Sequence, residues 1–337
     1  MKKYTLAWCV FLLLSSSCDL LLLNDDPPAT PRASFEYLWK ECRDKYAFFD
    51  YKQVDWEAVY RTYSPKVHDR ISQDSLFRVL FDMLLELKDG HVNLISPFNV
   101  SRFEVSLLGP RQIDERVLLE NYLGNYYTTG PFLHTALADG KVGYIRYASF
   151  SNRVNDFELN FIFSRYARAQ GLILDLRQNG GGSVENVFTI LNRLVTKKML
   201  LYHSYLKNGP GKEDFGPATP AYATPPDDRD LLRYTRKVIV LVDRGSYSAT
   251  SFFALATKAL PEVILMGDYT GGGLGIPNGG QLPNGWTYRL SVSRTLAPDG
   301  ANYENGVPPD IPAALDTEAL RKGVDSIVER AIQEITK

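Results

Sequence analysis

Along residues 34–88 apolar side chains recur at three- and four-residue steps, as in "FEYLWKECRDKYAFF" and "QDSLFRVLFDMLLELKD". That spacing predicts helices with one buried face. The pattern stops at Asp89-Gly90, and "HVNLI" begins an extended segment. From Gly140 the rhythm changes to short apolar runs: "KVGYIRYASF", "GLILDLR", "KVIVLVD", "EVILMGD" and "WTYRLSVSRTLA" read as strands. Helical stretches are predicted near 154–168, 183–197, 248–260 and 317–335. Buried strands alternating with helices predict an α/β core whose sheet is partly parallel. Residues 207–228 carry too many glycines and prolines for either element and are expected to form a long loop.

The amino terminus departs from this plan. "MKKYTLAWCVFLLLSSSC" has a basic start, an apolar stretch and then serines running into Cys18, the layout of a signal peptide with a bacterial lipoprotein cleavage site. The expectation is a signal over residues 1–17, lipid on Cys18 and a tether over residues 18–33, which places the protein on the exported side of the cell envelope, membrane-attached through the lipid. An uncleaved anchor is the alternative, although Asp19 and the serines interrupt the span. With Cys9 removed and Cys18 acylated, Cys42 has no partner for a disulfide.

Composition narrows the function classes. In 337 residues, 38 basic and 39 acidic side chains leave a net charge of −1 with no like-charge block. Nothing suggests a nucleic-acid groove.

Chemistry is expected where strands end and helices begin. At "LDLRQNGGGSVEN" three glycines let the backbone approach a ligand, or simply make a tight turn. It lacks the ending of a phosphate loop. At "VDRGSYSATSFFALA" Ser246, Ser248, Thr250 and Ser251 precede a helix that any of them can cap. The surrounding residues do not fit the G-x-S-x-G elbow. A nucleophilic serine needs a base. Of the four histidines, His68, His91, His134 and His203, His91 follows a helix-breaking turn, a placement open to a cleft or to a structural role. Glu304 and Asp310 are the carboxylates of the loop "APDGANYENGVPPDIP".

Taken in order, "LKDGHVNL", "GLILDLRQNGGG", "GSYSATSFFA", "GDYTGGG" and "YENGVPPDI" resemble the serine peptidases of the C-terminal-processing, or tail-specific, family S41, in the branch near the tricorn protease. The resemblance implies a crotonase/ClpP-like α/β core over residues 96–337 with a helical subdomain over 34–95, no cofactor or metal, and peptide or unfolded-protein substrates. It puts the nucleophile on Ser248, the base on His91, a glutamate holding the base on Glu304, and the oxyanion-hole N–H groups on Gly181 and Ala249. In that arrangement the glutamate would keep the His91 pKa at or above its ordinary value.

Two departures stand out. Family members with a serine–lysine dyad carry the lysine in a G-x-x-T-x-G-K-G loop; here Gly273 occupies that position, and Lys258 lies further along the helix after Ser248. Fewer than fifty residues separate Asn93 from Gly140, too few for the family's peptide-binding PDZ insertion. Substrate would then be held by strand addition at a sheet edge and by the 207–228 loop. The competing readings are a catalytically silent binding protein on the same fold and a crotonase-type acyl-CoA enzyme.

Overall fold

The computed structural model describes residues 27–337, so the leader and Cys18 lie outside the described residues. Four helices come first: Pro31–Lys45, Phe49–Lys52, Trp56–Tyr63 and Gln73–Leu85. The side chains of Thr30, Asp55 and Ser72 accept N–H bonds at the starts of three of them, which satisfies donors that a helix start leaves open.

Thirteen strands follow among the described residues: β1 Asn93–Ile95, β2 Tyr127–Thr129, β3 Phe132–Leu137, β4 Val142–Tyr147, β5 Gly171–Asp175, β6 Met199–Leu206, β7 Thr219–Ala223, β8 Lys237–Val242, β9 Val263–Gly267, β10 Pro277–Gln281, β11 Thr287–Ser291, β12 Ser293–Leu296 and β13 Ile311–Pro312. The central sheet runs β13-β9-β8-β5-β4-β3-β2. Its first five strands are parallel, β3 runs antiparallel to β4, and β2 runs antiparallel to β3.

Alternate residues of β5 and β8 serve opposite faces, as the two-residue period of a strand requires. Leu172, Leu174, Val238 and Val240 enter the core with Phe252, Phe253 and Leu255 of the Ala249–Thr257 helix. Ile173, Ile239 and Leu241 meet Ile327, Val328 and Ala331 of the Ser326–Thr336 helix on the other side. Helices thus cover both faces of the parallel strands, which is what continuous apolar runs demand.

Several elements differ from expectation. The 317–335 stretch divides into Thr317–Arg321 and Ser326–Thr336 at Gly323, whose φ of 78° is poorly tolerated by residues with a Cβ. The 207–228 stretch is not wholly loop, because Thr219–Ala223 pairs antiparallel with β6. Its proline sits in an edge strand, where a missing N–H does little harm. The helical subdomain does not close at residue 95: Leu282, Trp286, Tyr288 and Leu290 complete the core of the first helices. A second sheet, β1-β11-β10, therefore joins the helices to the main unit. Between β1 and β2 the chain forms short helical turns at Val105–Leu108, Glu115–Val117 and Leu118–Leu123. No helix among the described residues is long and apolar enough to cross a membrane.

Candidate active site

Two turns at the carboxyl ends of adjacent parallel strands build the site. β5 exits through Arg177, whose buried guanidinium bridges Asp175 and Asp325. β8 exits through Asp243, whose carboxylate accepts the N–H groups of Gln178 at 2.8 Å and Gly245 at 3.1 Å. That one carboxylate ties the glycine turn to the serine turn.

The four hydroxyls of the serine turn separate by partner. Ser246 Oγ donates to the Leu176 carbonyl at 2.8 Å and accepts the Asp243 N–H. Thr250 Oγ1 donates to the Asn179 carbonyl, and Ser251 Oγ contacts Thr270. All three are buried. Ser248 occupies the N-cap position but makes no side-chain cap bond. Its backbone has φ 58° and ψ −119°, an unfavourable conformation for a residue with a Cβ. Ser248 Oγ lies 2.8 Å from His91 Nε2. The strained turn aims the hydroxyl at the imidazole instead of at its own helix.

His91 is buried and held from several sides. Its backbone N–H donates to Asp89 Oδ1 at 2.8 Å. The Tyr247 ring lies 4.9 Å from the imidazole, and its hydroxyl donates to Asp89 Oδ1 at 3.4 Å. Asp89 Oδ2 accepts Ser291 Oγ at 2.8 Å and Tyr46 Oη at 3.1 Å. This buried carboxylate, which the sequence pattern offered only as a helix breaker, is the carboxylate neighbour of the imidazole. The signal was its position two residues before the histidine. Even so, burial is the largest influence and holds the His91 pKa below its ordinary value, while Asp89 acts in the opposite direction. The expected position at or above that value is corrected accordingly.

Glu304 is also placed differently from expectation. His91 Nδ1 has no hydrogen-bond partner among the described residues. The Glu304 carboxylate instead accepts the Leu274 N–H at 2.6 Å, and its carbonyl accepts the Gly273 N–H at 3.1 Å. The Gly272 carbonyl in the same loop accepts the Ser248 N–H at 2.9 Å. Glu304 thus pins the glycine loop on which the Ser248 backbone rests. Burial, with the Asp89 charge adding to it, pushes its carboxyl up to about 8. A group that is largely neutral at pH 7 supplies little charge to an imidazolium.

The glycine turn packs directly on the serine. A Cβ at Gly181 would stand 2.8 Å from Ser248 Cβ and 2.9 Å from Ala249 N, so only glycine fits there. The Ala249 N–H belongs to the first helical turn, where donors lack intrahelical partners. The Gly181 N–H, expected to face an oxyanion, donates to Asn179 Oδ1 at 3.0 Å. As an open donor it is corrected: the Asn179 side chain folds back over its own turn and takes it.

A lysine base has no room. A side chain at Gly273 would run into the Tyr247 ring, and the glycine has φ 75°. Lys258 is ion-paired with Asp310 at 2.6 Å. His134 is buried between Thr129 and Tyr166, and neither His68 nor His203 is buried. Among the described residues no group of His, Cys, Asp and Glu is arranged to hold a metal ion.

Comparison with known proteins agrees with this architecture. Residues 141–313 match Peptidase family S41, and residues 27–85 match the Tricorn protease C1 domain. The carboxy-terminal processing protease CtpA of Bacillus subtilis (strain 168) is 29% identical over 196 residues, 58% of this chain and 40% of that protein. The chain thus spans well under two thirds of the length of that relative. A crystal structure of a candidate peptidase from Parabacteroides merdae ATCC 43184 superposes with a TM-score of 0.87 at 40% identity, covering 91% of this chain and 97% of that one. Mature CPAF complexed with lactacystin shares the fold, with a TM-score of 0.68 at 14% identity over 91% of this chain and 98% of that one. The chain belongs to peptidase family S41.

Proposed function

We propose that the protein is a serine endopeptidase acting on peptides or unfolded proteins, with Ser248 as nucleophile and His91 as general base. The observation that carries this reading is the 2.8 Å contact between Ser248 Oγ and His91 Nε2 at a strained strand-to-helix turn. Nε2 takes the hydroxyl proton as Oγ bonds to the scissile carbonyl carbon. The resulting oxyanion is met by the Ala249 N–H, and by Gly181 once Asn179 releases it. His91 then gives its proton to the leaving amine as the C–N bond breaks, and water cleaves the acyl-enzyme by the same steps in reverse.

In this scheme Asp89 stabilises the imidazolium through space and Tyr247 fixes the ring plane. Glu304 acts at one remove, by holding the glycine loop beneath Ser248. Incubating the protein with an unfolded substrate and reading the new amino termini by mass spectrometry tests the proposal: internal cleavage that disappears in Ser248→Ala supports it. Identical fragments from both proteins would overturn it.

We also propose export and lipid attachment at Cys18, which rests on the basic, apolar and serine-rich order of residues 1–18. Intact mass should show a lipid that Cys18→Ala lacks. An unchanged lipid signal in that variant would remove the idea.

A further inference from the structure

Beside His91 and Ser248 lies a cleft of about 420 Å³, bounded by Gly90, Gly180 and Tyr247, the chain neighbours of the base, the glycine turn and the nucleophile. Three arginines line it: Arg102, Arg244 and Arg289. One carboxylate, Glu104, is also in the lining, and it approaches Arg102 only to 3.7 Å, with both side chains at least half exposed. An ion pair that loose and solvated neutralises little.

The other two guanidiniums have capacity left. Arg244 donates through one nitrogen to the carbonyls of Thr270 and Asn305 and stacks over Tyr269, contacts that orient the group without cancelling its charge. Arg289 is exposed, and among the described residues it has no carboxylate partner. It stands opposite Asn93 in the β1–β11 pairing, two positions along the chain from His91. The cleft therefore carries three fixed positive charges against one negative, on a protein whose net charge is −1. A concave surface of one sign concentrates ligands of the other. Planar guanidiniums also match a carboxylate in two-point geometry.

Building on the peptidase reading above, we propose that this cleft is a substrate subsite recognising the side-chain carboxylate of an Asp or Glu beside the scissile bond. A free C-terminus offers the arginines the same group, so the test separates the two. Val105 and Phe103 supply the apolar wall against which the peptide stem lies.

The test measures binding and cleavage separately. Fluorescent peptides are titrated by anisotropy against the full chain carrying Ser248→Ala: one with a central Glu and an amidated end, its Gln isostere with the same end, and the Gln peptide with a free carboxylate. The central-Glu peptide should bind roughly tenfold more tightly than the fully neutral one, and a preference for the free carboxylate alone would overturn the assignment. The preference should shrink toward unity in Arg289→Gln and in Arg102→Gln/Arg289→Gln, and should weaken with added salt. Equal binding of all three peptides would overturn the proposal, as would a preference that persists in a folded double variant. If the double variant fails to fold, Arg289→Gln alone and the three-peptide comparison still decide. Cleavage of the neutral peptide by the unsubstituted protein is scored independently. Cleavage without carboxylate preference refutes the subsite and keeps the peptidase; preference in binding without any cleavage refutes the peptidase and keeps the subsite.

Discussion

His91 Nε2 and Ser248 Oγ, 157 residues apart in the chain, meet at 2.8 Å. The contact joins the turn before β1 to the turn after β8, so it depends on the second sheet and its helices being docked against the parallel core. From it follow expectations for each residue of the serine turn. Ser248→Ala should lower kcat/KM by roughly 10⁴-fold or more with an unchanged melting temperature. Ser246→Ala should retain catalysis but lose about 1–3 kcal/mol of stability, because the Leu176 carbonyl and Asp243 N–H lose a buried partner. Paired kinetics and thermal melts read both. Equal loss of activity from the two substitutions would place the nucleophile elsewhere.

The pH profile reads the base. In the proposed scheme activity requires neutral imidazole, and burial holds the His91 pKa below its ordinary 6.5. The acid limb of kcat/KM should therefore fall below pH 6.5. Asp89 favours the charged ring and Arg289 opposes it, so Asp89→Asn should move the limb further down and Arg289→Gln should move it up. A limb above 6.5, or shifts in the same direction, would contradict this electrostatic picture.

Glu304 makes a different prediction, in stability. Its carboxyl is pushed from an ordinary 4.5 up to about 8 in the fold, so between those values the folded state binds more protons than the unfolded one. Its contribution is present below pH 4.5 and is lost as the pH rises through about 8. Glu304→Gln keeps an acceptor for the Leu274 N–H and removes the titration. Denaturant melts should show the variant gaining on the unsubstituted protein by roughly 3–5 kcal/mol across that window. Parallel pH curves for the two proteins would mean the carboxyl is ionised in the fold.

Gly273→Lys tests why the lysine dyad is absent. The new side chain meets Tyr247 and a backbone at φ 75°, so the variant should lose stability and should not rescue His91→Ala. Rescue of peptide hydrolysis in the double variant would show that the loop can accept a lysine base.

Much of this was legible in the sequence where local rules dominate. The strands β5, β8 and β9 announce themselves because both faces are buried, leaving apolar runs, and β4 does so despite its buried Arg146. The serine turn and the start of the Ala249–Thr257 helix follow from β8 ending at Val242. Less legible were the parts set by long-range partners. Leu282 to Leu290 complete the core of helices more than 190 residues earlier, and no local period reports that. The β2–β3 hairpin and β7 are exposed or mixed in pattern, so their pairing partners decide them. At the site, motif order put Ser248 and His91 in reach of one another, but which buried carboxylate faces the imidazole depends on how the loop Thr270–Gly275 folds. That loop takes Glu304 for its own N–H groups, and Asp89 is left as the carboxylate neighbour of the imidazole.

The central claim is that His91 activates Ser248, and covalent labelling tests it most directly. The protein, its Ser248→Ala and its His91→Ala variants are treated with a fluorophosphonate, and the labelled peptide is identified by mass spectrometry. The account predicts one adduct on Ser248 of the unsubstituted protein, none on the Ser248→Ala variant, and labelling slowed at least about a hundredfold by His91→Ala. An adduct on another residue, or undiminished labelling of Ser248 in a folded His91→Ala variant, would contradict it.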